Sequence, residues 1–273
     1  MLSPFTKEDG LLNQKPFIDY EVQYNLFHRI IEGDKYIALK DDDNNVMALQ
    51  NPGHRMWLWI NDTLKEETIF KKIDSLSYQL KDEKLSGIAG DPKIADYFAD
   101  RYSKLLGVPY EVVISLESYH CPEVIKPQGV PGKLILPQSE HLDIIAEYLV
   151  GFLYWSYNKK VPKKNQISTA EKLIDSGNLF LLEVEKKVVS MAYITHRSPR
   201  HARINTVYTP PEERKNGYAS KLVAELSKKI LEEGLTPVLY ADTTNPTSNR
   251  VYKNIGYIES GKIDEIKFIY ELV

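Results

Sequence analysis

Between Cys121 and Gly132 the chain crowds Pro122, Pro127, Gly129, Pro131 and Gly132 into one short stretch. Prolines remove backbone donors and glycines resist a fixed conformation, so neither a helix nor a central strand runs through it. The stretch splits the chain into two parts, 1–125 and 132–273, each large enough to bury a core of its own. Hydrophobic residues at 42% and charged residues at 27% are ordinary globular usage and exclude collagen-like, coiled-coil or broadly disordered chains.

Lys plus Arg number 35 and Asp plus Glu 38, a net charge of -3 that gives no global pull toward nucleic acid or an anionic membrane. Neither is expected as a partner. The single cysteine, Cys121, excludes an internal disulfide framework and a multi-cysteine metal site, and it fits a reducing compartment. The N-terminus lacks a basic start followed by an apolar run, so it does not read as a secretory signal, and a cytoplasmic protein is expected. The apolar stretch from Leu142 to Tyr157 is interrupted by Asp143 and Glu147. It falls short of the ~20 residues that span a bilayer and reads as a buried helix.

In the second part, that helix is followed by a short one over Ile167–Ser176, then by strands Leu179–Val184 and Val188–Ile194 around the turn Glu185-Lys186-Lys187. Arg203–Tyr208 is a third strand, leading through Thr209-Pro210-Pro211 to a helix near Gly217. Leu222, Val223, Leu226 and Ile230 give that helix one apolar face, and Gly234 stands where a C-cap glycine is expected. Pro237–Ala241 is a short strand, Asn245–Asn254 a helix, and Tyr257–Tyr270 the closing strands. The first part follows a similar order. Tyr36–Leu39 and Val46–Leu49 flank the turn Asp41-Asp42-Asp43-Asn44-Asn45, Met56–Ile60 is a strand, Glu67–Leu80 and Pro92–Leu106 are helices, and Tyr110–Leu116 is a strand. Asp91-Pro92 opens the later helix as Asn245-Pro246 does in the other part. A duplicated α/β unit is expected, against the alternative of two unrelated α/β domains.

The chemistry is concentrated in Val207-Tyr208-Thr209-Pro210-Pro211-Glu212-Glu213-Arg214-Lys215-Asn216-Gly217-Tyr218-Ala219-Ser220. A helix N-terminus presents about four backbone N–H groups without intrahelical partners at the positive end of the helix dipole. Gly217, Ala219 and Ser220 keep that end clear, and Arg214 and Lys215 add charge, so the loop suits a diphosphate. Taken alone it suits a plain turn equally well, and neither the Walker A pattern nor the dinucleotide glycine fingerprint occurs. In a second segment, Asn245 can cap a helix on which Asn249 and Tyr252, three residues apart, share a face. Two amides and a phenol can bind a polar ligand there; in isolation, core packing of Tyr252 explains the pattern as well.

Together the two segments resemble the GNAT superfamily of acetyl-CoA-dependent N-acetyltransferases. Arg214-Lys215-Asn216-Gly217-Tyr218-Ala219 fits the Arg/Gln-x-x-Gly-x-Gly/Ala loop, and the likeness covers roughly Leu142–Val273. Many members carry glycine where Lys215 stands. The resemblance implies an α/β (α+β) fold with a mixed, mostly antiparallel central sheet flanked by helices, tandemly duplicated. It implies acetyl-CoA as donor, no metal, and a small-molecule or amino-acid-like primary amine as acceptor, in a monomer or homodimer. Backbone groups of Val207, Tyr208 and Thr209 would orient the pantetheine arm, Arg214 and the amides of Lys215, Asn216, Gly217, Tyr218, Ala219 and Ser220 would hold the pyrophosphate, and Asn245 and Asn249 would contact pantetheine or adenosine. Tyr252 would be the general acid for the departing thiolate, a matched pair since both titrate near ~10. No carboxylate lies on Arg203–Tyr208 to act as base, and Glu183 on the preceding hairpin or a water chain is the candidate. A non-catalytic acyl-CoA-binding regulator is the alternative.

The corresponding loop of the first part, Asn61-Asp62-Thr63-Leu64-Lys65-Glu66-Glu67, has no glycine and three acids, which repel a diphosphate. This half is expected to shape the acceptor cleft or to complete the fold. Trp57 and Trp59 alternate on a strand and are expected as packing. His196 and His201 flank a basic loop that is either an acceptor clamp or solvated, and His54, His120 and Cys121 lack zinc-ligand spacing.

Overall fold

The acidic run that opens the first hairpin turns because its own side chains satisfy its backbone. The Asp41 carboxylate accepts from the Asn45 and Val46 N–H groups at 2.7 and 3.0 Å, and Asn44 takes a left-handed φ of 54°. In the computed structural model, which describes residues 2–270, such signals delimit twelve strands and seven α-helices among the described residues. In chain order the first are β1 (Ser3–Pro4), α1 (Leu26–Ile31), β2 (Ile37–Lys40), β3 (Val46–Gln50), β4 (Met56–Ile60), α2 (Glu66–Gln79), β5 (Gly87–Gly90), α3 (Pro92–Leu106) and β6 (Tyr110–His120). Then come β7 (Lys133–Ile135), α4 (Leu142–Tyr157), α5 (Ile167–Asp175), β8 (Leu179–Val184), β9 (Lys187–Arg197), β10 (His201–Tyr208), α6 (Tyr218–Glu232), β11 (Thr236–Asp242), α7 (Pro246–Ile255) and β12 (Ile258–Phe268).

The chain forms two compact units. One is the chain up to Tyr119 with Ala241–Asn245 and the stretch from Glu259 onward; the other is His120–Tyr240 with Pro246–Ile258. In the first, the strand order is β1-β2-β3-β4-β5-β12-β6, with β4 and β5 parallel and the hairpins antiparallel. The strand β12 pairs antiparallel with β5, Asp264 opposite Gly90 and Lys267 opposite Gly87. In the second unit the order is β11-β10-β9-β8-β7, and β10/β11 is the parallel pair. Each unit therefore has the mixed, mostly antiparallel sheet that was expected, and both run hairpin, strand, helix, strand, helix.

Both faces of each sheet are covered. In the first unit Met56, Leu58 and Ile60 pack with Ile73, Leu76 and Phe98 of α2 and α3. Trp57 and Trp59 point to the opposite face, where Phe17 meets Trp59 edge-on at 5.6 Å. In the second unit Ile145, Tyr148 and Leu149 of α4 cover Leu179, Leu181 and Met191, while α6 lies on β8–β10 with Leu222, Val223, Leu226 and Ile230 fully buried. Each such aliphatic side chain contributes roughly 1.5–3 kcal/mol of burial.

Three features depart from the expectations. The strand β5 reads Gly-Ile-Ala-Gly, and flanking glycines mask a strand in the sequence. They are needed because a Cβ on Gly87 would overlap the Ile266 carbonyl, and one on Gly90 would lie 2.5 Å from the Leu58 carbonyl oxygen. The segment before β2 is built of short 3-10 turns and α1, whose aromatic residues Phe17, Tyr24 and Phe27 are buried. The expected closing strands are one strand, β12. We predict that Gly87→Ala or Gly90→Ala costs about 1–3 kcal/mol in urea unfolding, as overpacking does. Gly53→Ala, where a Cβ meets open space, should cost only about 1 kcal/mol from its φ of 79°.

Candidate active site

The parallel ladder between β10 and β11 is brief. It joins His201, Ala202 and Arg203 to Thr236, Pro237 and Val238, leaving Ile204–Tyr208 outside that register. Toward β9, Asn205 faces Tyr193 and Tyr208 faces Met191, so β10 holds one extra residue. The bulge is at Thr206, whose φ is 53° and whose N–H is held by the Asn205 side chain at 2.6 Å. A β-branched residue in the left-handed region costs of order 1–3 kcal/mol, which the flanking ladder sustains. The half-buried Val207 follows this bulge directly.

The end of β10 is anchored from behind. The Ser190 hydroxyl, fully buried, donates to the Tyr208 carbonyl at 3.0 Å and lies 2.9 Å from the Thr209 hydroxyl. The Tyr208 ring packs against Gly151 and edge-on to Tyr148 at 5.4 Å, and burial raises its phenol above the usual range. Of the three residues expected to orient pantetheine, Tyr208 is thus buried, with its side chain in the core and its carbonyl already an acceptor. The Thr209 carbonyl accepts from Arg214 Nε at 3.1 Å.

Beyond Thr209 a 3-10 turn, Pro211–Glu213, leads to Lys215 at φ 69° and Gly217 at φ 80°, and α6 begins at Tyr218. The Lys215 conformation accounts physically for the glycine that similar loops carry there. The first helical bond runs from the Lys221 N–H to the Gly217 carbonyl at 3.0 Å, so the amides of Tyr218, Ala219 and Ser220 form the open first turn. Arg214 is fixed by its carbonyl bond and by lying over the Trp155 ring, 4.3 Å from the centroid. Asn216 ties back to the Glu213 carbonyl at 3.2 Å, and Glu213 pairs with Lys187.

Gly217 has a second reason to be glycine. A Cβ there would sit 2.8 Å from Val130 Cγ2, and the Val130 carbonyl accepts from Lys221 Nζ at 2.9 Å. The Pro- and Gly-rich stretch before β7 thus seals one side of the loop. It also reaches α7, where Ile125 N–H donates to the Ile255 carbonyl at 2.7 Å.

On α7, Pro246 is the first helical residue, Asn249 is half-buried and Tyr252 is buried, with its ring edge-on to Tyr257 at 5.9 Å. The Tyr257 hydroxyl lies 2.7 Å from Ser227 Oγ, and complete burial pushes its phenol well above the usual range. Asn245 is an exposed turn residue of the first unit, its N–H donating to the Asp242 carbonyl at 3.1 Å. Glu183 is salt-bridged to Lys133 at 2.9 Å. His201 is buried rather than solvated, and Arg197 is engaged by Glu233 at 2.7 and 3.1 Å, so the loop between them is a closed hairpin turn. Burial pushes the Cys121 thiol up to about 11, which makes it a poor nucleophile. No group of three or more His, Cys, Asp or Glu set to hold a metal occurs among the described residues, and no helix there is long and apolar enough to cross a membrane.

Sequence reasoning missed Ser190, Trp155 and Val130. Ser190 leaves a trace, a lone hydroxyl within Val188-Val189-Ser190-Met191-Ala192; the other two leave none, because their contacts are non-local.

Residues 176–265, the strands, bulge, loop and helices just described, match the family described as FR47-like protein. They form an FR47-like, GNAT-related domain. No curated protein matches the chain. Among solved structures it is similar to a GNAT-family acetyltransferase from Colwellia psychrerythraea, with 13% identity, a TM-score of 0.58 and coverage of 99% of this chain and 100% of that one. A GCN5-related N-acetyltransferase from Sphaerobacter thermophilus gives 12% identity and a TM-score of 0.60, covering 100% and 96%. The glucosamine N-acetyltransferase region of a fungal multi-domain GH3 β-N-acetylglucosaminidase gives 12% and 0.52, covering 98% of this chain and 38% of that one. The GNAT fold therefore extends beyond the FR47-like domain to both units.

Two substitutions separate the roles within the FR47-like loop. Gly217→Ala should lose about 1–3 kcal/mol of stability. Adding Val130→Ala should recover about 1 kcal/mol of it in a double-mutant cycle, whereas strict additivity would show that Val130 is not the obstacle. Lys215→Gly should gain up to about 1 kcal/mol by removing the left-handed strain.

Proposed function

We propose that the chain transfers an acetyl group from acetyl-CoA to a primary amine of a small molecule. The observation that carries this reading is the combination of a bulged, prematurely ending parallel strand with an open, basic helix N-terminus within an FR47-like domain. Main-chain groups of Val207 and Thr209 receive the pantetheine arm. The amides from Lys215 to Ser220, with Arg214, receive the diphosphate, which a helix N-terminus favours. Asn249 and the preceding Asn245 contact the pantetheine or adenosine part.

The amine nitrogen attacks the thioester carbonyl carbon, the C–N bond forms and the C–S bond breaks. The charge that develops on the carbonyl oxygen is met by the Val207 N–H beside the bulge. The Tyr252 phenol donates its proton to the departing sulfur and is restored by the proton that the amine loses. With Glu183 tied to Lys133 and no carboxylate on β10, water is the better candidate to relay that proton. The same lack of a carboxylate base favours a second reading, a binding protein that senses acyl-CoA without turning it over.

Titration calorimetry with acetyl-CoA, followed by thiol release over an amine panel that includes glucosamine, separates the two. Transfer that falls roughly 10²- to 10⁴-fold in Tyr252→Phe with acetyl-CoA affinity intact is the expected result. Tight binding with no thiol release for any amine would establish the sensor, and no binding would end both.

A further inference from the structure

The helix α4 meets the end of β10 and the loop after it along one face. Gly151 and Trp155 are four residues apart and lie one above the other on that helix. Gly151 receives the Tyr208 ring, since a Cβ there would overlap the phenol, and Trp155 receives the Arg214 guanidinium, 4.3 Å from the ring centroid. Tyr208 and Arg214 bracket the turn 209–213, so α4 holds both ends of the turn that delivers the chain to α6. Burial raises the Tyr208 phenol, and the charge of Arg214 counters that rise, which places the two side chains in one electrostatic neighbourhood.

Core packing does not account for Trp155. It is 55% exposed and lies outside the buried cluster beneath α4, and among the described residues its ring meets Tyr154, edge-on at 5.5 Å, and Arg214. What an exposed indole supplies is its π face, on which a planar guanidinium stacks well. Arg214 spends one of its five N–H donors, on Nε, to reach the Thr209 carbonyl at 3.1 Å. Its Nη hydrogens find no partner among the described residues and stay available to an anion. A guanidinium already held by a ring and by a carbonyl loses little further rotamer freedom when an anion binds it.

We propose that Trp155 is a positioning residue for diphosphate binding: its indole face holds the Arg214 guanidinium ready for the phosphates of acetyl-CoA and, through the Thr209 carbonyl, keeps the loop before α6 in its binding form. The proposal rests on the acetyl-CoA reading above. It adds to that reading a residue of α4, outside the loop and outside residues 176–265. Because Trp155 acts through Arg214 at the diphosphate, its effect falls on affinity for the coenzyme and not on the rate of the bound complex.

The test is titration calorimetry of the full chain with acetyl-CoA, comparing wild type, Trp155→Phe, Trp155→Leu, Arg214→Ala and the double variant Trp155→Leu/Arg214→Ala. Position 155 is exposed, so its substitutions leave the core intact. The dissociation constant should rise about 2- to 5-fold in Trp155→Leu, the reach of an exposed cation–π contact. Trp155→Phe, which keeps a π face, should bind close to wild type. The double variant should bind no more weakly than Arg214→Ala alone. Without ligand, acrylamide quenching of tryptophan emission should increase in Arg214→Ala, because Trp57 and Trp59 are buried and Trp155 carries the exposed signal. Equal affinity in wild type and Trp155→Leu, single effects that multiply in the double variant, Trp155→Phe as weak as Trp155→Leu, or unchanged quenching would each overturn the proposal and leave the acetyl-CoA reading standing. No binding by wild type would overturn both.

Discussion

A parallel strand pair cannot be joined by a tight turn, and this constraint organises each unit. The connection must be a crossover helix, so both strands end at the same edge of the sheet and both following helices begin there. In the second unit this gathers the N-termini of α6 and α7 beside the ends of β10 and β11. The ladder stops after Arg203 and Val238, and Thr206 takes a left-handed bulge three residues on. Main-chain groups that a longer ladder would have consumed are left for another partner. The strain at Thr206 is held by the β9 pairing on one side and by Ser190 behind it.

The same constraint in the first unit yields a different charge pattern because the local sequence differs. Its parallel pair also runs for three residues, Met56–Leu58 against Ile88–Gly90, and two helices again open at one edge. There the loop is acidic, the opening of α2 is acidic, and the cap of α3 is a half-buried aspartate. A helix N-terminus favours anions, so the fixed carboxylates compensate the dipole themselves and leave no reason for a further anion to enter. The same backbone arrangement thus presents opposite charge at corresponding positions of the two units.

Much of this was legible before any coordinates. The periodic helices α2, α3, α4 and α6 and the strands β3, β4, β8 and β10 are marked by apolar spacing and by turn residues at their ends, signals that act within a few residues. The run from Arg214 to Ala219 was legible as a tight loop opening a helix for the same reason. What was not legible depends on distant partners: β5 is a strand because Leu58 and Ile266 flank it closely, and β7 is one because Leu181–Glu183 stand beside it. Trp59 read as packing, and it does pack, against Phe17 and Tyr20; its place on a cavity wall depends on Asp91 and Phe70, far along the chain.

Glycines illustrate how a correct position can carry an incomplete reason. Gly217 was expected to leave room for a phosphate, and its loop does keep an open first turn, but the direction a side chain would take is occupied by Val130. At the far end of α7, Gly256 makes the same concession to the Glu123 carbonyl. The Pro- and Gly-rich stretch that divides the sequence is therefore a structural wall of the second unit, pinned to Ile255 and to Lys221. Gly217 is therefore required both by its left-handed φ and by this wall. The open amides of Tyr218, Ala219 and Ser220, by contrast, follow from the left-handed turn that starts the helix and not from that wall's side chains.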